Sequence, residues 1–196
     1  MKLLKTISVI LLASVCSGCA IQPDAEVYTV SAEPYSAFVD EDVRSKECRI
    51  ELGDEVFING SGAWFGPGGI NISESGVYII SGQYNGCISV TAKDPVKLIF
   101  SGAGITNENG CAVISGSSRL IITTEGSGNI LTGSGSEYAA AVYSEGTLLF
   151  GGPGSLSVSG SVFSGGGILF SRNINTICPV IYGDKGDMIY GSLRIN

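Results

Sequence analysis

The chain has 196 residues, of which 18 are acidic and 11 are basic, and it contains no histidine. Its net charge of −7 has the wrong sign for binding nucleic acid or an anionic membrane surface. The lack of histidine excludes Ser-His-Asp and Cys-His catalysis and argues against a zinc site.

The first 18 residues have the organisation of a bacterial lipoprotein signal peptide. A short basic segment, residues 1–5, precedes an apolar run, residues 6–15, that is too short to span a bilayer as a mature helix. Ser17-Gly18-Cys19 resembles the end of a lipobox, although Cys16 stands where leucine is usual. We therefore predict lipid attachment at Cys19, which would hold the protein outside the cytoplasm on the cell membrane. Secretion without lipid is the alternative.

The rest of the chain divides into a predicted tether and a predicted folded domain. Residues 19–54 are acidic and contain two prolines, which is typical of an extended linker ending in a cap. Loss of residues 1–18 would remove Lys2 and Lys5 and leave 9 basic against 18 acidic side chains, a net charge of −9. Residues 55–196 are enough for one domain.

Short apolar segments recur along this domain. They begin at Cys87, Cys111, Ala141 and Gly167, and two further apolar runs follow each of the first three. Three strands per repeat of 20–50 residues are typical of a parallel β-helix, whose stacked coils bury what one coil cannot. The predicted fold is therefore an all-β, single-stranded parallel β-helix of about five coils. An antiparallel sandwich or barrel is the alternative.

Period-two alternation predicts which side chains face the interior. The predicted inward residues of the first strands are Ile88 and Val90, Ala112 and Ile114, Val142 and Ser144, and Ile168 and Phe170. The predicted inward residues of the second strands are Val96, Leu98 and Phe100, stacked near Leu120 and Ile122, with Lys97 and Arg119 facing water. Cys87 and Cys111 occupy equivalent places in successive repeats. The spacing is compatible with a disulfide between them and, alternatively, with two stacked free thiols.

Two motifs within residues 55–170 are more specific than the rest. They are Gly76-Val77-Tyr78-Ile79-Ile80-Ser81-Gly82, with the pattern G-x-Y-x-x-S-G, and the G-x-x-N-x-L pattern from Gly126 to Leu131. In this order they resemble a family of bacterial surface proteins described as carbohydrate-binding. The resemblance implies a right-handed parallel β-helix like that of pectate lyases, with binding of acidic, pectin-type polysaccharides and of calcium.

Sugars bind to aromatic faces flanked by polar groups, so the exposed aromatic residues are the candidate carbohydrate site. Trp64, the only tryptophan, stands beside Phe65 in a Gly/Pro-rich stretch. This predicts either an exposed platform or an N-terminal lid on the coils. Tyr84, Tyr138 and Tyr143 are further candidates, with half-buried amphipathic side chains as the alternative.

The acids of the domain stand singly in turns, except for Asp184 and Asp187. These two could form part of a calcium site completed by an acidic polysaccharide. Because glycosidases require two closely placed carboxyl groups, the pattern favours binding of polysaccharide without catalysis. A surface adhesin with a protein partner is the alternative, followed by a polysaccharide lyase with Lys or Arg as its base.

Overall fold

The computed structural model describes residues 28–30, 47–134, 140–171, 174–176, 180–183, 186–189 and 192–195. These residues form strands and turns, and no helix among them could cross a bilayer. The strands are β1 (Tyr28–Val30), β2 (Glu47–Leu52), β3 (Phe57–Asn59), β4 (Ala63–Gly66), β5 (Gly69–Ile72), β6 (Gly76–Asn85), β7 (Ile88–Val90), β8 (Val96–Asn107), β9 (Val113–Ser115), β10 (Arg119–Glu125), β11 (Asn129–Gly133), β12 (Ala140–Ser144), β13 (Thr147–Gly151), β14 (Leu156–Ser159), β15 (Ser161–Ser164), β16 (Ile168–Phe170), β17 (Ile174–Thr176), β18 (Val180–Gly183), β19 (Gly186–Ile189) and β20 (Ser192–Ile195).

Successive repeats pair in parallel and form three faces. The first face consists of β5, β7, β9, β12 and β15, with β4 and β19 added antiparallel at its ends. The second face consists of β2, β6, β8, β10, β13 and β16. The third face consists of the C-terminal halves of β6 and β8, with β11 and β14. The all-β class and the parallel pairing of repeats are thus confirmed, and the right-handed β-helix stays a prediction.

The second and third faces meet because β6 and β8 bend within their length. The pairing of these two strands shifts register between Ile80 and Gly82. Gly82 has a φ of 87° and Gly102 a φ of 69°, both in the left-handed region that side chains with a Cβ avoid. A Cβ at Gly82 would also collide with the carbonyl oxygen of Leu52 on the neighbouring strand. Glycine at this corner therefore lets one strand serve two faces.

The inward side chains stack in columns and form one buried core. On the first face the column runs Ile70, Ile88, Val113, Val142, Val162 and Ile189. On the second face the predicted inward residues are confirmed, and Leu120 and Ile122 lie opposite Val96 and Leu98. Farther along the stack the Phe150 and Phe170 rings stack at 5.8 Å between centroids and 16° between planes.

The predicted inward residues of the second repeat segment, which begins at Cys111, were wrong by one position. Val113 and Ser115 face the interior, whereas Ile114 is half-buried on the outer side. Ala112, although buried, precedes the strand. Because residues 112–114 are all apolar, hydrophobicity alone does not decide whether residues 112 and 114 or residues 113 and 115 face the interior. The observed register stacks a β-branched valine on its neighbours and aligns Ser115 with Ser144.

The assignment of Ile168 and Phe170 to the first-strand column was also wrong. Both residues face inward, but they lie on the second face, opposite Leu148 and Phe150. The equivalent first-face strand is β15, Ser161–Ser164. Serines at both of its ends hide the alternation of Val162 with its neighbours, so hydrophobicity alone missed this strand.

A buried asparagine holds the corner where β8, β10 and β14 approach one another. The Asn129 side-chain oxygen accepts hydrogen bonds from the backbone nitrogens of Gly102 at 2.9 Å and Ala103 at 3.1 Å. Its amide nitrogen donates to the carbonyl oxygens of Glu125 at 3.1 Å and Ser155 at 2.9 Å. Every polar atom of this side chain is satisfied, as burial requires.

Two strands lie within the predicted tether and cap, residues 19–54. β1 pairs antiparallel with β17 near one end of the stack, and β2 pairs with β6 near the other. Cys48 of β2 belongs to the core. Cys87 and Cys111 are present as thiols rather than as a disulfide.

Candidate functional site

A groove runs along the end of the third face, beside the last residues of β6. It consists of two hollows of about 420 and 270 Å³ that share Asn85. We call it the Asn85 groove. Its ten lining residues are Gly53, Asp54, Gln83, Tyr84, Asn85, Gly86, Thr106, Asn107, Glu108 and Asn109. Both hollows are shallow and open to solvent.

The groove is positioned by parallel strands and by one hydrogen-bonded turn. Asn85 pairs with Thr106 at the ends of β6 and β8, and the Gly86 nitrogen donates to the Thr106 carbonyl oxygen at 2.8 Å. The Asn107 amide nitrogen donates to the Cys111 carbonyl oxygen at 2.9 Å, and its side-chain oxygen accepts from the Asn109 nitrogen at 3.1 Å. Asn107 is therefore committed to holding the turn that borders the groove.

Tyr84 borders the groove, but its side chain lies on the opposite side of β6 from Gln83 and Asn85 and packs against the core. Its ring meets Phe65 edge to face, with centroids 6.1 Å apart and planes at 80°. A Cβ at Gly86 would collide with the Tyr84 ring, so glycine allows this close approach. Burial, and secondarily Cys87, raises the pKa of Tyr84 above its usual value, so its hydroxyl stays neutral and can donate or accept.

The polar side chains of the groove are open to a ligand. Within the described part of the chain, no hydrogen bond occupies the side chains of Gln83 and Asn85 or the carboxylates of Asp54 and Glu108. The groove thus offers amide donors and acceptors and carboxylate acceptors. No Lys or Arg is among its ten lining residues.

The Cys87 thiol, next to Gly86 of the groove, is not a reactive group. Burial, and secondarily Cys111, raises the pKa of Cys87 to about 11. The protonated thiol is neither a nucleophile nor a metal ligand. The groove therefore offers hydrogen-bonding groups rather than a thiol nucleophile.

Trp64 and Tyr143 lie on the outer side of the first face, away from the groove. Register places Trp64 and Tyr143 in one outward row, with β5, β7 and β9 between their strands. Trp64 is 48% exposed. The Tyr143 ring stacks on Phe163 at 5.2 Å and 17°, so one of its faces is covered. Phe65, 53% exposed, points to the opposite side of β4 from Trp64.

The predicted metal and lipid residues are only partly within the described structure. Cys19, Tyr138 and Asp184 lie outside it. Asp187 accepts a hydrogen bond from the backbone nitrogen of Ile168 at 2.8 Å, so its carboxylate already holds two faces together. The described residues contain no cluster of three Cys, Asp or Glu side chains suited to a metal, so the described acids alone do not assemble a calcium shell.

The sequence predicted Phe65 and Tyr84, whose rings are in contact, but not the polar residues of the groove. Asp54 falls within the predicted tether and cap, and residues 107–109 had no predicted role in binding. The available signal was the amide-rich end of each long strand, Gln83 to Asn85 and Thr106 to Asn109.

Comparison with known proteins supports this type of chemistry. A family model for carbohydrate-binding domain-containing proteins matches residues 68–168, which is just over half of the chain. The matched range includes most of the groove and the Asn129 corner. Comparisons with curated proteins and with solved structures found no match.

Proposed function

The chain belongs to the family of carbohydrate-binding domain-containing proteins, and from this premise we propose that it binds polysaccharide in the Asn85 groove without catalysis. The observation that carries the proposal is the set of amide and carboxylate groups in the groove that have no hydrogen-bond partner within the described part of the chain. Hydroxyl groups of a sugar both donate and accept hydrogen bonds, so they match this set. We further propose that the three faces are those of a right-handed parallel β-helix, which the parallel pairing supports.

Binding of the full-length protein to a panel of immobilised polysaccharides tests this function. We expect Asn85→Ala to weaken retention about tenfold, the effect of losing roughly one good hydrogen bond to a ligand. Asn59→Ala is the matched control, since Asn59 is an exposed asparagine outside the groove. Equal losses in the two variants would move the site away from the groove.

We also propose that the protein is a lipoprotein held on the membrane through Cys19. Cys19→Ala should abolish acyl labelling and shift the protein from the membrane to the medium or to unprocessed precursor. Persistent labelling of that variant would exclude Cys19 as the attachment site.

Calcium-assisted binding of a pectin-type ligand is a separate proposal, for a site outside the Asn85 groove. Calcium accepts six to eight oxygen ligands and could bridge protein and sugar carboxylates. Asp184 and Asp187 remain the proposed protein ligands, although Asp187 also bonds the Ile168 backbone. Calorimetric titration with an oligogalacturonide, first in calcium and then in chelator, decides the point: equal affinities would exclude a bridge.

A surface adhesin with a protein partner is the second candidate. Phe57, Trp64 and Phe65 are 60%, 48% and 53% exposed near one end of the stack. Exposed aromatic residues are enriched in protein interfaces. Failure of every polysaccharide to bind a correctly folded protein would favour this candidate.

A further inference from the structure

The electrostatics of the Asn85 groove carry an inference about the class of sugar, which rests on the proposed function. Asp54 lines the larger hollow and Glu108 the smaller one, so a ligand that fills both meets a carboxylate in each. None of the ten lining residues carries a positive charge, and the whole chain has a net charge of −7. A uronic acid in the groove would find no Lys or Arg side chain among the lining residues to pair with its carboxylate.

The hydrogen-bonding capacity of the groove is also unbalanced. A carboxylate only accepts hydrogen bonds, whereas the amides of Gln83 and Asn85 both donate and accept. The open groups therefore contain more acceptors than donors. A neutral sugar supplies hydroxyl donors at each ring position, but a uronate replaces one of them with a further acceptor.

We propose that the Asn85 groove selects an uncharged, hydroxyl-rich glycan and discriminates against polyuronates. Asp54 and Glu108 accept hydrogen bonds from sugar hydroxyls, and Gln83 and Asn85 complete the polar contacts. The two carboxylates determine specificity, because they attract hydroxyl donors and repel acidic ligands.

A matched pair of probes isolates the charge of the ligand. Hexa-α-1,4-galacturonate and its fully methyl-esterified form share one skeleton and differ in charge. We would titrate each into the full-length protein in low and in high salt. The ester should bind at least tenfold more tightly in low salt, and the difference should shrink in high salt because salt screens surface charges.

Two charge variants place the effect in the groove. Asp54→Asn with Glu108→Gln should narrow the gap between the two probes by improving binding of the acid. Asp94→Asn with Glu125→Gln makes the same change in net charge at exposed positions outside the groove, and it should leave the gap unchanged. Equal narrowing by both pairs would show an effect of net charge and overturn the assignment to the groove.

The remaining outcomes separate this inference from the proposed function. Tighter binding of the acid would overturn the inference while leaving polysaccharide binding intact. If neither probe binds, a panel of neutral and acidic polysaccharides is tested instead. Binding of a neutral polysaccharide that Asn85→Ala weakens would support the inference. Binding of an acidic polysaccharide, or binding that Asn85→Ala leaves unchanged, would overturn it. If no polysaccharide binds, the proposed function fails together with the inference.

Discussion

Two asparagines show how the same side chain serves different purposes in two regions of the molecule. Asn129 is 1% exposed, and both ends of its amide hydrogen-bond to backbone groups of neighbouring strands and turns. Asn85 is exposed at the end of β6, and its amide bonds to nothing in the described part of the chain. The corner amide is occupied by the fold, and the groove amide is available to a ligand.

This difference shows which polar residues of a β-stack to treat as functional. A buried amide has to be satisfied by the protein, since an unpaired buried polar group costs roughly 1–3 kcal/mol. An exposed amide without a protein partner costs no stability, because water satisfies its hydrogen bonds. Residue type alone does not distinguish the two, whereas burial and hydrogen bonding do.

The largest expected effect comes from breaking the stack that supports both regions. Ile122→Asp places a carboxylate in a fully buried column between Leu98 and Phe150. The cost of several kcal/mol is comparable with the roughly 5–15 kcal/mol that stabilises a domain. We expect this variant to be unfolded by circular dichroism at room temperature.

Lys97→Asp is the control for that variant, on the outer side of the neighbouring strand. It should lower the melting temperature far less than Ile122→Asp, because the half-buried side chain of Lys97 already lies partly in water. Similar melting temperatures for the two variants would contradict the inward assignment of Ile122.

The corner asparagine should give the next largest effect. Asn129→Ala leaves four backbone groups without their partner, those of Gly102, Ala103, Glu125 and Ser155. We expect a loss of about 4 kcal/mol in the free energy of unfolding, since each unpaired buried group costs roughly 1–3 kcal/mol and water can reach part of the corner. Urea denaturation measures this loss. A loss below 1 kcal/mol would mean that the corner is not held by this amide.

Much of the fold was predictable because repeats and alternation reflect packing directly. The inward residues of β8 and the stacking of Leu120 and Ile122 followed from period two. The prediction failed where alternation was absent, at residues 112–114, and where serine replaced apolar residues, at Ser161–Ser164. Whether a serine hydroxyl is buried depends on the hydrogen-bond partners that the fold places beside it. The alternation of residues along a strand gives no information about those partners.

The candidate site was less predictable. Aromatic residues drew attention to Phe65 and Tyr84, but also to Tyr143, whose ring stacks on Phe163. Asp54 and Glu108 are 54 residues apart in the chain and line one groove only because parallel stacking brings turns together. Such neighbours follow from the register of strands, which has to be known before the site is visible.

A buried tyrosine gives an intermediate effect that depends on pH. Tyr78 is 1% exposed, and its hydroxyl donates to the Glu74 carbonyl oxygen at 2.7 Å. Burial, then Cys48 and Glu74, raises the pKa of Tyr78 to about 12. Above pH 10 the unfolded chain loses this proton while the folded chain keeps it, so stability falls as the pH rises from 10 to about 12, by about 2–3 kcal/mol in all.

Tyr78→Phe tests this contribution in urea titrations at several alkaline pH values. The variant should be less stable than the wild type at pH 7 by about 1 kcal/mol, because it lacks the hydrogen bond. Its stability should fall less steeply between pH 10 and 12. Cys87, with a pKa of about 11, contributes to the fall from pH 9 to 11 in both proteins. Parallel curves would show that Tyr78 does not titrate as expected.

The smallest expected effect on stability separates the two asparagines most sharply. Asn→Asp keeps the shape of the side chain and replaces its amide donor with an acceptor. Asn129→Asp would set a carboxylate against the carbonyl oxygens of Glu125 and Ser155 and should cost several kcal/mol at neutral pH. Asn85→Asp changes an exposed group and should alter the free energy of unfolding by less than about 0.5 kcal/mol.

The same Asn85→Asp variant should nevertheless bind polysaccharide less well, because a third carboxylate in the groove cannot donate to the ligand. Thermal melting and calorimetric titration of one preparation measure both quantities. A stable variant with weakened binding would assign Asn85 to ligand contact. A destabilised variant would show that its amide has a structural partner, and it would remove the contrast with Asn129 on which the assignment of the groove depends.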